Sequence, residues 1–295
     1  MAVTVFSPAK INLYLAVTGR RPDGFHDLVS VAAPLDFGDE LSAEAKAGGS
    51  DGQFGLTCDN PAVPLDDSNL ILKAARAFAD TTGYQGKVNF GLTKRIPLGA
   101  GLGGGSSNAV AALRALNLLT DGLLPEAKLA DLAAKLGSDC ALFVHSAPVI
   151  MRGRGESITL MSGSAAARLR GRQVLLFKPA FGISTPWAYQ RMIARGADYI
   201  PAAEAEHKLA AWQGGAAPVE ELLGNNMEPA AFEKFVALPV MLGKLSAGFG
   251  VAARMSGSGS ACFALPGHDQ VTSPLEACIR QCWGPAAFVQ IARLA

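Results

Sequence analysis

The sequence predicts an α+β fold in two domains, and three observations carry that reading. Strand-like and helix-like patterns mix without strict strand–helix alternation. A glycine-rich stretch at 96–110 runs straight into a helical apolar pattern. The texture of the chain changes near residue 160, which divides it into an N-terminal domain over 1–160 and a C-terminal domain over 161–295. The total of 295 residues is enough for one large domain or two medium ones.

The elements follow in order. Residues 3–17 alternate: Ile11, Leu13, Leu15 and Val17 share one face, and Lys10, Asn12, Tyr14 and Ala16 the other. This is a half-buried strand whose polar face opens with an ammonium and an amide two residues apart. Pro22-Asp23-Gly24 is a turn signal that delivers Phe25 and His26 directly after it. LVSVAAPLDF reads as a second strand and AKAGGSDGQ as a loop. In DDSNLILKAARAFADTTG, Asp67 or Ser68 is the N-cap, Leu70, Ala74 and Phe78 set the apolar spacing, and Gly83 is the stop. KVNFGLT is a strand. The glycine stretch then opens a helix with Val110, Leu113, Leu116 and Leu119 near one face. PEAKLADLAAKL is a helix that starts with Pro125 and ends at Gly137. Asp139 lies just past it, and CALFV follows as a buried strand. MSGSAAARLRG reads as a surface connection and RQVLLFKP as a strand. ISTPWAYQRM starts a helix, with Thr185 as N-cap and Pro186 at its first position. Residues 197–235 are Ala-rich and helical in character. ARMSGSGSACFALP is strand, turn and strand, and the chain ends as helix then strand.

Composition narrows the function classes. Hydrophobic residues are 49% and charged ones 17%, which argues against disorder. With 26 basic and 25 acidic residues and no basic stripe, charge gives no support to a nucleic-acid or membrane-surface role. Apolar runs fall short of the roughly 18 residues that a transmembrane helix needs. The N-terminal stretch, broken by Pro8, Lys10 and Asn12, reads as mature protein and not as a signal peptide. The five cysteines form no C-x-x-C pair and no zinc spacing, so they read as buried thiols of a cytoplasmic protein.

The stretch IPLGAGLGGGSSNAV admits three readings. Gly99, Gly101 and Gly104 satisfy G-x-G-x-x-G, but KRIP separates the loop from the preceding strand and Asp121 falls in a turn, so the dinucleotide context fails. A Walker loop needs Lys after its last glycine, and Ser106 stands after Gly105. A loose linker does not fit between two strong elements. A polyphosphate cradle remains. Glycines let backbone approach an anion, helix-start N–H groups favour phosphate, and Ser106, Ser107 and Asn108 add donors and a capping oxygen.

PAKINLYLAV at 8–17, IPLGAGLGGGSSNAV at 96–110, LGSDCALF at 136–143 and RMSGSGSACFAL at 254–265 together resemble the signature regions of the GHMP small-molecule kinases. They occur in the family's order and span nearly the whole chain. GRRPDGFHDLVSV at 19–31 and NNMEP at 225–229 resemble the branch whose acceptor carries a cytidine diphosphate group.

The resemblance implies a two-domain GHMP-kinase fold with the active site in the interdomain cleft and the N-terminal domain binding ATP. It implies ATP-dependent phosphorylation of the 2-hydroxyl of a polyol in non-mevalonate isoprenoid precursor synthesis. Asp139 is then the general base and Lys10 its electrostatic partner. The nucleotide lies on Pro97, Leu98, Gly99, Ala100, Gly101, Leu102, Gly103, Gly104, Gly105, Ser106, Ser107 and Asn108, with Asn69 and Lys94 near the adenine. Asn12, Phe25, His26, Thr185 and Tyr189 bind the acceptor. Phe25 stands where the family usually has Tyr, and Trp187 rivals Tyr189 as the second stacking ring. The third motif, around Gly257 and Gly259, supplies a glycine turn beside the first loop and the acceptor. No carboxylate cluster for a dedicated metal site is evident, so Mg2+ is expected mainly on the phosphates, with Ser107 as a candidate contact. The assembly expected is a monomer or homodimer acting on a small molecule. Homoserine-type and mevalonate-type kinases, and a non-catalytic nucleotide sensor, are the alternatives.

Overall fold

The computed structural model describes residues 1–46, 53–161, 163–196 and 198–295. Most of the predicted AKAGGSDGQ loop lies outside the described residues. Two compact units emerge, interleaved along the chain. One holds residues 1–9, 37–96 and 103–146; the other holds 10–36, 97–102 and 147–295.

Strands β1 (Ala2–Arg20) and β2 (His26–Lys46) each begin in one unit and end in the other. In the first unit, β2 pairs antiparallel with β4 (Lys87–Thr93), which pairs parallel with β3 (Phe54–Cys58). Gly38, midway along β2, lets the strand lie close against β1, because a Cβ would sit 2.3 Å from the Ser7 carbonyl oxygen. Helix α1 (Leu70–Thr82) buries Ile71, Leu72, Ala74, Ala75 and Phe78, the one-sided spacing of an amphipathic helix. Each large member contributes about 1.5–3 kcal/mol by leaving water. Its cap is Asn69, whose side-chain oxygen accepts from Ile71 N at 2.9 Å, and not Asp67 or Ser68. Asp66 takes the Ser68 hydroxyl and amide instead, in a turn one step earlier. Gly83 ends the helix in the left-handed region at φ 72.

Helix α2 (Gly104–Leu119) follows the glycine loop, and α3 (Glu126–Leu136) follows Pro125, which caps it. Gly137, at φ 175, ends α3 in extended backbone, not in a left-handed stop. CALFV is not a strand. Ala141–Val144 form a buried 3₁₀ turn begun by Cys140 N donating to Gly137 O at 3.0 Å. A short apolar run reads the same whether strand or buried turn, and a turn already closed over Gly137 leaves no length for a strand.

In the second unit, β5 (Val149–Arg152) pairs antiparallel with β2 and with β6 (Ser157–Leu160). The expected surface connection forms helix α4 (Gly163–Leu169), because Ala165 and Leu169 are buried. A second sheet runs in the order β11-β7-β10-β9, with β7 (Gln173–Lys178), β9 (Ala252–Met255), β10 (Cys262–Leu265) and β11 (Phe288–Arg293) antiparallel throughout. Helix α5 (Thr185–Arg195) is capped at Ser184, one residue before the expected Thr185. Then come α6 (Ala202–Gly214), α7 (Val219–Leu222), the short β8 (Gly224–Asn225) parallel to β1, α8 (Glu228–Phe232), α9 (Ala237–Phe249) and α10 (Ser273–Trp283). The apolar faces of α5, α8, α9 and α10 meet β7, β9 and β10 in one core that includes Phe177, Met192, Met241, Leu245 and Ile279.

The cysteines divide. Cys140, Cys262 and Cys278 are buried, Cys58 is half-buried, and Cys282 is exposed on α10, accepting from Lys244 Nζ at 3.2 Å. No described helix is long and apolar enough to cross a membrane.

Candidate active site

The alternation of β1 puts Lys10 and Asn12 on one face, and there they bond: Lys10 Nζ donates to Asn12 Oδ1 at 2.6 Å. Both residues are buried. Asn12 Nδ2 donates to Ser30 Oγ at 2.9 Å, and Ser30 donates on to the Tyr14 carbonyl at 2.7 Å. The amide of Asn12 is thus held at both ends and fixes the lysine.

The third glycine motif lies against the same residues. A Cβ at Gly257 would stand 3.3 Å from Asn12 Oδ1 and 3.6 Å from Lys10 Nζ. Ser256 Oγ accepts from Asn12 N at 3.3 Å and donates to Gly101 O at 3.1 Å, and Ala261 N donates to Ala100 O at 3.0 Å. Residues 97–102 of the first loop are therefore pinned to the 256–261 turn. Gly101, at φ +77, has no room for a side chain: a Cβ would meet Ser256 O at 2.3 Å. Gly99, at φ +58, faces open space. Gly101→Ala is expected to lower stability by at least about 1 kcal/mol more than Gly99→Ala, since both incur left-handed strain but only one also overpacks. Urea unfolding of the pair checks this; equal midpoints would mean that the loop relaxes.

Beyond residue 102 the loop enters α2. Gly103 is its N-cap at φ 71, with no side-chain cap bond, in contrast to the Asn69 cap on α1. The first-turn N–H groups of α2 have no capping side chain, the arrangement that suits an anion. Ser107 and Asn108 are buried inside the helix. Ser7 Oγ donates to Ser107 Oγ, and Asn108 Nδ2 donates to Ser7 Oγ and to Asp39 Oδ2, all at 2.8 Å. Asp39 also accepts from Arg95 N and Ile96 N at 2.7 Å and pairs with the Lys94 ammonium. Lys94 and Asn69 thus have structural partners: Asn69 caps α1 and donates Nδ2 to Pro64 O at 2.7 Å.

Asp139 lies half-buried in the turn between α3 and the 3₁₀ segment. Its neighbour Cys140 is fully buried, and burial pushes the thiol up to about 11, against the opposing effect of a Ser106 hydrogen bond. The thiol stays protonated and packs.

At the start of β2, Phe25 is 52% exposed, with the Arg154 guanidinium 4.7 Å over its ring. His26 is buried and stacks on Tyr189 of α5, centroids 4.6 Å apart. Trp187 turns elsewhere, edge-on to Phe235. Thr185 Oγ1 lies 2.8 Å from Ser258 Oγ, joining α5 to the glycine turn. Burial, then the charge of Arg20, hold the His26 imidazole below its ordinary pKa.

Among the described residues, no group of three or more His, Cys, Asp or Glu stands where it could hold a metal ion. Ser107 Oγ, the expected contact, is buried and already accepts from Ser7.

Asp39 and Tyr199 are not legible in the sequence as site-supporting residues, whereas Asn225 belongs to the NNMEP motif. Asn225 Nδ2 donates to Met255 O and Gly257 O at 2.8 Å and so holds the third turn. For Asp39 a signal existed, a carboxylate interrupting an apolar strand. For Tyr199 none did.

Known proteins resemble this chain in sequence and fold. Residues 69–147 match the GHMP kinases N terminal domain. The 4-diphosphocytidyl-2-C-methyl-D-erythritol kinase of Protochlamydia amoebophila (strain UWE25) is 34% identical over 277 residues, 94% of this chain and 88% of that protein. The enzyme of the same name from Chlorobium phaeobacteroides (strain BS1) is 38% identical, with 89% and 88% covered. A crystal structure of 4-(cytidine 5'-diphospho)-2C-methyl-D-erythritol kinase superposes with TM-score 0.77 at 33% identity, over 99% of this chain and 100% of that one. Mevalonate kinase of Methanococcus jannaschii, at 12% identity, TM-score 0.74 and coverage of 100% and 99%, shares the fold.

Proposed function

This chain belongs to the 4-diphosphocytidyl-2-C-methyl-D-erythritol kinases of the GHMP superfamily, ATP-dependent small-molecule phosphotransferases, and we propose that it phosphorylates the 2-hydroxyl of that cytidine-bearing polyol. This is a step of non-mevalonate isoprenoid precursor synthesis. The observation that carries the acceptor assignment is the ring cluster of exposed Phe25 and buried His26 on Tyr189, which suits a flat base with one hydrogen-bonding edge.

The division of labour follows from the chemistry of each group. The uncapped start of α2 and the glycine backbone hold the triphosphate. Asp139 accepts the hydroxyl proton as the oxygen attacks the γ-phosphorus and the bond to the β-bridging oxygen breaks, releasing ADP. Lys10, fixed by Asn12, offsets charge on the transferring group. Magnesium belongs to the nucleotide's phosphates in this scheme. Phe25 and Tyr189 stack on cytosine, His26 reads its edge, and Thr185 orders the glycine turn through Ser258.

Phe25→Ala is expected to raise KM for the cytidine substrate by about 5–150-fold, the equivalent of roughly 1–3 kcal/mol of base stacking, with KM for ATP little changed. Equal effects on both substrates would defeat the cytosine assignment. The function itself is tested by ADP release with the cytidine-diphosphate polyol, mevalonate and homoserine. Turnover with mevalonate or homoserine alone would overturn it.

A further inference from the structure

His26 has a second ring partner besides Tyr189. Its Nε2 lies 3.1 Å from the Tyr199 hydroxyl, with the two rings nearly parallel at 6.0 Å between centroids. The phenol is held there by the backbone on either side. Ile200 N donates to Val17 O at 3.2 Å, and Asn226 Nδ2 donates to Asp198 O at 2.8 Å. The same Asn226 side chain exchanges bonds with both the N–H and the carbonyl of Val17 at 2.8 Å. Part of the NNMEP motif thus anchors the segment that carries Tyr199.

We propose that Tyr199 is a positioning residue that locks His26 as the Nδ1–H tautomer and thereby makes the site read cytosine rather than uracil. The inference rests on the cytidine reading of this site. A neutral imidazole offers one donor and one acceptor, and the partner of one nitrogen decides which is which. The phenolic O–H is a far better donor toward a basic imidazole nitrogen than that nitrogen's proton is toward a weakly basic phenol oxygen. Tyr199 therefore donates to Nε2, and the ring proton resides on Nδ1. Burial and Arg20 keep the ring neutral, which preserves the lock.

The consequence is chemical selectivity. A His26 N–H can be accepted by the N3 lone pair of cytosine. Uracil presents N3–H at that position, so two donors would face each other, and a buried polar mismatch is what gives a site strong discrimination. Phe25 and Tyr189, which stack on any pyrimidine, cannot make this distinction.

Two measurements test the lock. In the substrate-free protein, imidazole ¹⁵N chemical shifts, assigned by comparison with His26→Asn, should show a pyridine-type Nε2 and a pyrrole-type Nδ1; the reverse pattern overturns the proposal. In turnover, Tyr199→Phe keeps the ring and removes the hydroxyl. The ratio of kcat/KM for the cytidine- and uridine-diphosphate forms of the polyol should fall about tenfold or more, with KM for ATP unchanged; an unchanged ratio overturns it. Wild-type protein that turns over neither form would sink the substrate reading, and the tautomer would still be decided by the ¹⁵N shifts.

Discussion

With Asp139 proposed as the base, Asp139→Asn is expected to lower kcat by at least about a hundredfold while ATP binding stays close to wild type. The substitution keeps the shape of the side chain and removes the carboxylate oxygen proposed to take the proton. The residue next to it in the chain is not suited to replace it. Cys140 is adjacent, but burial pushes its thiol up to about 11, so it stays neutral at working pH and holds no lone pair basic enough to serve. Steady-state ADP release measures kcat, and titration with a fluorescent nucleotide measures binding. Near-normal turnover would remove Asp139 as the base, and lost nucleotide binding would recast it as structural.

Asp39→Ala costs about 3–5 kcal/mol of folding stability. Its carboxylate is fully buried and receives two backbone N–H groups, the Asn108 amide and the Lys94 ammonium. Removing it leaves a buried cation without its counter-charge and three neutral donors without an acceptor. The loss should appear as a lower urea midpoint with an unchanged m-value. Combining Asp39→Asn with Lys94→Met should cost less than the sum of the two single changes, because each removes the other's uncompensated charge. A midpoint within error of wild type for Asp39→Ala would show that water relieves the site. Because Asn108 stands in the second turn of α2, the same variant should also raise KM for ATP.

What was legible in the sequence followed local rules. Strict alternation gave β1 and the shared face of Lys10 and Asn12, which the structure joins by a hydrogen bond. Glycines before a helical pattern located the start of α2. Caps shifted by one or two residues, to Asn69, whose side chain accepts from Ile71 N, and to Ser184, which makes no side-chain cap bond. The Thr185 hydroxyl pairs with that of Ser258, a partner 73 positions away. CALFV misled because burial alone does not fix backbone direction. Asp39 and Tyr199 stayed hidden because their importance lies in partners distant in sequence: Asn108 for one, His26 for the other.

The sorting of the cysteines gives the protein a handle for surface chemistry. Cys282 stands exposed on α10 beside an ammonium, while Cys140, Cys262 and Cys278 are shut inside. A maleimide dye or biotin under native conditions should therefore attach at Cys282 in preference to all the others and spare the neighbourhood of Asp139. Enzyme tethered to a bead or a sensor chip through that sulfur would keep its catalytic turn unmodified, so immobilised turnover can be compared directly with turnover in free solution.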